Sequence, residues 1–241
     1  MMRRSVIISL LAFFALSTAA AQLRSVQFSA AADLVPEKRL GITEASAYGG
    51  RLSVSYGVGD AGTVTVDVGY SRYDIEQPDE VVRWGWTIWD RRYRNWVSIY
   101  SADTANFTGK VESVQSMESV PVTVKYSHRF PLTEDITVAP LLGAGVEFYT
   151  RKLYHNETWT RKYPQDGYQF TYSYHNFAPY KSGNPLFGVA GVNAEARLSR
   201  IIVLTAGAEL RRYLDTPGSF GYDAYPFSTA LSLFAGIGFT Y

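Results

Sequence analysis

Residues Thr229 to Tyr241 read Thr-Ala-Leu-Ser-Leu-Phe-Ala-Gly-Ile-Gly-Phe-Thr-Tyr. Leu231, Leu233, Ala235, Ile237, Phe239 and Tyr241 share one parity. Ser232, Gly236, Gly238 and Thr240 share the other, with Phe234 the one large residue among them. Successive side chains of a strand point to opposite faces, so this stretch is a strand with one greasy face and one small or polar face. It is long enough to cross a bilayer at a tilt, which takes about 9–11 residues. A soluble sheet can end on such a strand too, so the reading depends on how often the pattern recurs.

It recurs seven times upstream. Val26, Phe28, Ala30, Ala32 and Leu34 oppose Gln27, Ser29 and Asp33 over 24–34. Leu52, Val54, Tyr56 and Val58 oppose Arg51, Ser53 and Ser55 over 49–58. Val64, Val66, Val68 and Tyr70 oppose Thr65, Asp67 and Ser71 over 63–74. Val120, Val122, Val124 and Tyr126 oppose Thr123, Lys125 and Ser127 over 118–128. Ile136, Val138, Leu142, Ala144, Val146 and Phe148 oppose Thr137, Gly143, Gly145 and Glu147 over 136–150. Residues 185–198 are weaker: Ala190, Val192, Ala194, Ala196 and Leu198 oppose Asn193, Glu195 and Arg197, while Phe187 and Val189 break the pattern. Over 201–214, Ile202, Leu204, Ala206, Ala208 and Leu210 oppose Thr205, Glu209 and Arg211.

The connections alternate in length. Gly59-Asp60-Ala61-Gly62, 129–135 and Ser199-Arg200 are short; 35–48, 75–117, 151–184 and 215–227 are long. Long connections all at one end, with short turns and both termini at the other, are the rule for outer-membrane barrels. The expected fold is all-β, an eight-stranded antiparallel up-and-down transmembrane β-barrel with long extracellular hairpin loops. With its terminal aromatic and the strand Ser119-Val-Pro-Val-Thr-Val-Lys-Tyr-Ser-His128, the chain resembles the small outer-membrane barrels of Gram-negative bacteria, the OmpA transmembrane-domain and OmpX type. The resemblance implies an outer-membrane location beside lipid and lipopolysaccharide, and usually a monomer. It does not specify an activity, because one fold hosts many functions. The chain is expected to be a bare barrel, with no peptidoglycan-binding domain after Tyr241.

Met1 to Ala21 is expected to be a secretory signal peptide, leaving 22–241 as the barrel domain. Arg3 and Arg4 precede an apolar run, Val6 to Leu16, too short to span a membrane, and Ala19-Ala20-Ala21 offers small residues before Gln22. Losing this segment takes the formal net charge from +1 to −1, which gives no argument for nucleic acid. The absence of Cys excludes disulfide and thiolate chemistry.

The inward parity carries Arg51, Lys125, Arg197 and Arg211 against Asp33, Asp67, Glu147, Glu195 and Glu209. An eight-stranded barrel is just wide enough for side chains to fill it, and a buried ion without a partner is costly. These nine residues are therefore expected to form a cross-barrel charge network that closes the lumen; the alternative is a small gated pore whose pairs exchange partners. Glu195 and Glu209 lie on adjacent strands and could face each other, but a filled lumen admits no substrate.

An enzyme reading finds no support. Ser127 and His128 are neighbours and point to opposite faces, at the periplasmic end. His155 and His175 share one external loop and could approach each other, with Glu157 as a third group, but zinc commonly takes at least three protein ligands. No catalytic residue, metal or cofactor is expected.

The external loops carry the remaining chemistry. Loop 75–117 holds Trp84, Trp86, Trp89, Tyr93, Trp96 and Tyr100 with Arg83, Arg91, Arg92 and Arg94. Val82, Trp84, Trp86 and Ile88 alternate with Arg83, Gly85 and Thr87, which predicts a strand that continues above the membrane, turns between Asp90 and Asn95 and returns. In loop 151–184, Trp159, Lys162 and Tyr163 precede Asp166-Gly167; then Tyr168, Phe170, Tyr172 and Tyr174 alternate with Gln169, Thr171 and Ser173. Asp-Gly between alternating runs predicts a hairpin. These aromatics either pack on one another or form a binding surface, since aromatic faces stack on sugars and Arg suits phosphate and carboxylate. The candidate ligand-binding residues are Trp84, Trp86, Trp89, Arg91, Arg92, Tyr93, Arg94, Trp96, Trp159, Tyr168 and Tyr172. Candidate partners are lipopolysaccharide, a surface glycan or an extracellular protein. The expected role is a structural or surface-binding, adhesin-like barrel, with a gated pore second and a barrel enzyme third.

Overall fold

A computed structural model describes residues 22–241; the expected signal peptide, 1–21, lies outside the described residues. In chain order the elements are β1 (Gln22–Lys38), β2 (Glu44–Val58), β3 (Gly62–Glu76), α1 (Glu80–Trp84), α2 (Thr87–Ala102), β4 (Phe107–His128) and the two-residue β5 (Phe130–Pro131). There follow β6 (Ile136–Tyr163), β7 (Tyr168–Phe177), β8 (Lys181–Gly183), β9 (Leu186–Arg197), β10 (Ile202–Tyr213), a 3-10 turn (Tyr222–Ala224) and β11 (Phe227–Thr240).

Eight strands close a ring in the order β1, β2, β3, β4, β6, β9, β10, β11. The antiparallel seam between β1 and β11 pairs Phe28 with Ile237 and Ala32 with Leu233. Phe28, Leu52, Val68, Val124, Phe148, Leu210 and Ile237 are exposed on the outer wall, while Ser29, Ser53, Asp67, Lys125, Glu147, Glu209 and Arg211 are buried within. Greasy outside and polar inside is the reverse of a soluble barrel, and it is the parity read from the alternation. The outward charges Glu118, paired with Lys152 at 2.8 Å, and Glu37, paired with Arg212, limit this apolar wall at the end opposite the short turns.

The strands outrun their sequence-based limits at the end that carries the long connections. β1 runs on to Lys38 and β2 begins at Glu44, so only residues 39–43 join them. β4 starts at Phe107 rather than near 118, and β6 continues unbroken to Tyr163. β4, β6 and β7 thus form a three-stranded turret above the ring. Its β6–β7 hairpin turns at Asp166-Gly167, with Gly167 at φ +65°.

The hairpin expected in 75–117 does not form. Those residues make α1 and α2, and α2 lies on the inner face of the turret. Trp89, Tyr93, Trp96 and Tyr100 fall at i, i+4, i+7 and i+11, a helical stripe. The alternation around Val82 to Ile88 spans only the junction of the two helices.

Candidate functional site

Every other residue of β6 from Thr137 to Trp159 faces inward, and this column carries the lumen, its plug and the turret core in turn. At the mouth beside the short turns a cavity of about 650 Å³ is lined by Arg24, Arg129, Glu195, Arg197 and Arg200. It narrows to spaces of about 40 and 30 Å³ around Arg51, Asp67, Lys125 and Glu209. There Glu209 takes Arg51 Nη1 at 2.6 Å and Lys125 Nζ at 2.6 Å; Lys125 also pairs with Asp67, and Arg51 lies 3.6 Å from Asp67. The Arg51 guanidinium rests 3.8 Å over the Phe234 ring. The one large residue on the small parity of β11 is therefore the platform for a buried cation. Its cross-strand partner is Gly207, where a Cβ would run into the ring.

One layer up, Arg211 joins Asp33 at 2.7 Å and Glu147 at 3.2 Å. Tyr73 donates to Asp33 at 2.8 Å, and Tyr213 donates to Glu147. Above lies an apolar plug of Val35, Ile75, Met117, Tyr149, Phe187, Val189, Tyr225 and Phe227. Phe187 and Val189 broke the alternation of β9 because the lumen at that height is aromatic rather than polar. Residues 214–226 fold over the plug, held where Tyr149 donates to Gly221 O at 2.6 Å and Arg39 to Tyr222 O at 2.8 Å.

Two expected arrangements are corrected. Glu195 and Glu209 do not face each other: Glu195 is registered with Thr205 and Glu209 with Gly191, because the β9–β10 turn sets them four positions apart. Glu195 instead accepts from Gln27 at 2.9 Å and lies 3.5 Å from Arg129. Arg197 is exposed at the mouth beside the short turns and makes no ion pair among the described residues.

The turret core begins where buried Arg151 donates to Gln115 at 2.5 Å and Gln77 at 2.6 Å. Trp84 covers it, 5.1 Å from the guanidinium, and donates to Pro179 O at 3.2 Å. Next, Trp89 stacks on His155 with centroids 4.0 Å apart, and Tyr93 bonds His155 Nδ1. Glu157 accepts from Tyr93 at 2.8 Å, Trp159 at 2.8 Å, Arg92 at 3.2 Å and Asn176 at 3.2 Å. Burial holds His155 below its usual pKa against the opposing pull of Glu80, 3.8 Å from Nε2, and Glu157. Burial, then the bond to Glu157, pushes the Tyr93 phenol well up. At the top Trp96 stacks on Trp159 at 4.8 Å and Phe107 at 5.3 Å.

Of the eleven loop residues singled out above, Trp84, Trp89 and Trp159 are buried, and Trp86, Arg92, Tyr93, Trp96 and Tyr172 are half-buried. Arg91, Arg94 and Tyr168 are exposed; Arg91 and Arg94 lie on the outer face of α2, away from the Trp89–Tyr93–Trp96 stripe. His155 and His175 do not approach: His155 is registered with Asn176, and the two rings lie on opposite faces of the hairpin. The Glu157 node and the Arg151–Gln77–Gln115 cluster escaped the sequence reading. Their signal was the parity of β6, which runs through Glu147, Tyr149, Arg151, Leu153, His155, Glu157 and Trp159 without a break.

No protein-family model and no curated protein matches the sequence. Among solved structures the chain is similar to a major outer membrane protein of Thermus thermophilus, at 16% identity and TM-score 0.48, over 90% of this chain and 99% of that one. It is similar to the outer membrane protein OprG of Pseudomonas aeruginosa at 9% identity and TM-score 0.47, over 92% and 96%. It is also similar to Ail, the attachment invasion locus protein of Yersinia pestis, at 12% identity and TM-score 0.39, over 91% and 97%. At these identities the likeness is one of architecture, and by its own strand order and closure the chain is an eight-stranded antiparallel β-barrel.

Proposed function

We propose that this protein is an outer-membrane barrel with a plugged lumen that acts at the extracellular surface, in a structural or surface-binding, adhesin-like role. The observation that carries the reading is the continuity of β6. One strand, Ile136–Tyr163, leads from the periplasmic rim to the hairpin tip, and its inner parity is buried without a break from Glu147 to Trp159. The turret is thus a packed extension of the barrel, able to hold a surface in fixed orientation. The apolar outer wall suits lipid, and the charged pairs Glu118–Lys152 and Glu37–Arg212 suit the headgroup level, where lipopolysaccharide would be the neighbour. A non-enzymatic role is favoured because the Tyr93–His155–Glu157 cluster is packed under Trp89, with His155 fully buried, and leaves no room for a substrate. The partners proposed are a surface glycan or an extracellular protein, with a monomer as the acting unit and no cofactor.

A gated pore is the second reading, favoured by one observation: Glu209 and Asp67 both lie within ion-pair distance of Arg51 and Lys125, so the layer has alternative pairings. The test compares the refolded protein in lipid nanodiscs with a variant shortened to tight turns around Trp84–Trp96 and Trp159–Tyr174. Glycan and extracellular-protein arrays should bind the full protein and not the shortened one. Binding that survives shortening, or a large and stable open state in a planar bilayer, would overturn the proposal.

A further inference from the structure

The inner face of β7 is a ladder of rings that α2 covers only at its lower end. Tyr174 lies 4.5 Å under the Arg92 guanidinium, and Tyr172 lies 6.4 Å from Trp96. Above them Phe170 and Tyr168 are bare, 47% and 55% exposed. The rings nonetheless keep their order: Phe170 and Tyr172 are 5.5 Å apart, and Tyr172 and Tyr174 are 6.0 Å apart with planes within 7°. Tyr163, opposite Tyr168 across the hairpin, adds its ring at 6.0 Å. Arg161, opposite Phe170, is exposed, stands 5.4 Å from the Tyr163 ring and has no carboxylate partner among the described residues.

Large apolar rings grouped in the open mark a contact surface. The shape of this one selects among occupants. It is an open strand face: none of the cavities in the lumen or on α2 is lined by Tyr163, Tyr168, Phe170 or Tyr172, whereas a polypeptide side chain is anchored in a deep pocket. A row of ring faces suits the C–H faces of pyranose sugars, and the phenol groups of Tyr163, Tyr168 and Tyr172 can exchange hydrogen bonds with sugar hydroxyls. Glu157, the acid below the ledge on the inner parity of β6, is already committed to Arg92, Tyr93, Trp159 and Asn176. Arg161 is the cation beside Phe170 and Tyr163, and its fork suits a carboxylate or sulfate.

We propose that Tyr163, Tyr168, Phe170 and Tyr172, flanked by Arg161, form a subsite for an acidic oligosaccharide. The inference rests on the surface-binding reading above and narrows it to one ligand class and one face of one hairpin. The helix-bound rings Trp89, Trp96 and Trp159 are its support, and they do not touch the sugar.

The experiment measures binding of a sulfated hexasaccharide and its desulfated counterpart to the protein in nanodiscs. Phe170→Ala and Tyr168→Ala remove exposed rings, Arg161→Gln removes the cation, and Thr171→Ala on the outer face of β7 is the control. Near-ultraviolet circular dichroism checks that each variant keeps its tertiary packing. Each ring deletion should weaken both sugars about tenfold. Arg161→Gln should weaken the sulfated sugar to the level of the desulfated one, and Thr171→Ala should change neither. Sugar binding that survives both ring deletions would overturn the ledge as the site. If only polypeptides bind, and the shortened turret loses them, the sugar inference falls while the surface-binding reading stands. If nothing binds the full protein, both fall.

Discussion

Phe234 and His155 show how single side chains hold this barrel closed and its turret upright. Phe234 underlies Arg51 within the ion-paired layer of the lumen. Phe234→Ala removes a cation–π contact and leaves a space beside Gly207, at an expected cost of about 2–4 kcal/mol. Urea unfolding in detergent micelles should show that loss, whereas an unchanged midpoint would mean the ring is dispensable. His155 is buried between Trp89, Tyr93 and β6, with the carboxylates Glu80 and Glu157 and the guanidinium of Arg92 nearby. Its pKa is lowered by burial, so the unfolded segment takes up a proton more readily than the folded one. Turret stability is then full above the ordinary histidine value of about 6.5 and falls as the pH drops below it, until His155 itself protonates. Tryptophan emission followed in urea at pH 7.5 and 5.5 should show an earlier turret transition at acid pH, and His155→Gln should flatten the difference. Equal transitions at the two pH values in the unsubstituted protein would refute this.

At the level of elements, α2 and the inner face of β6 need each other. The stripe Trp89, Tyr93 and Trp96 fits Leu153, His155 and Trp159, and Phe107 of β4 completes the stack at the top. The fit depends on Gly109, the cross-strand partner of Trp159, because a Cβ there would run into the indole. Gly109→Ala should displace Trp159 and unstack Trp96, at about 1–3 kcal/mol. Hydrogen exchange would report it as lost protection across 87–102 and 157–163, with the ring strands unaffected. A uniform loss over the whole barrel would contradict the separation of turret from ring. The same pairing makes helices of a stretch whose alternation predicts a hairpin. Val82, Trp84, Trp86 and Ile88 alternate over a short stretch, and a short alternating run cannot be told from a helix junction by period alone.

For the whole molecule, closure turns on charge balance inside a narrow tube. Arg51 and Lys125 face Asp67 and Glu209, so removing one cation strands a carboxylate away from water. Lys125→Ala should cost about 3–5 kcal/mol, seen in micellar unfolding. The unsubstituted barrel should show no sustained open state in a planar bilayer. A Lys125→Ala protein as stable as its parent would mean that this layer does not hold the barrel shut.

The ring of eight strands, its inward and outward faces and the side on which the long connections lie were all legible in the sequence. A strand's alternation is local, and each of the eight segments carries it independently. The β6–β7 hairpin was legible for the same reason, since Asp166-Gly167 needs only its own backbone conformation. What only the tertiary structure decided were facts set by register and by distant partners. Glu195 missed Glu209 because the β9–β10 pairing is offset, and Arg197 stayed outside the charge network because it lies at the mouth. Phe187 turned inward because the lumen there is filled from β6, β10 and the segment before β11. Residues 87–102 became a helix because a buried stripe on β6, far away in sequence, offered a matching surface. Periodicity says which way a side chain points, and only the assembled fold supplies what it meets there.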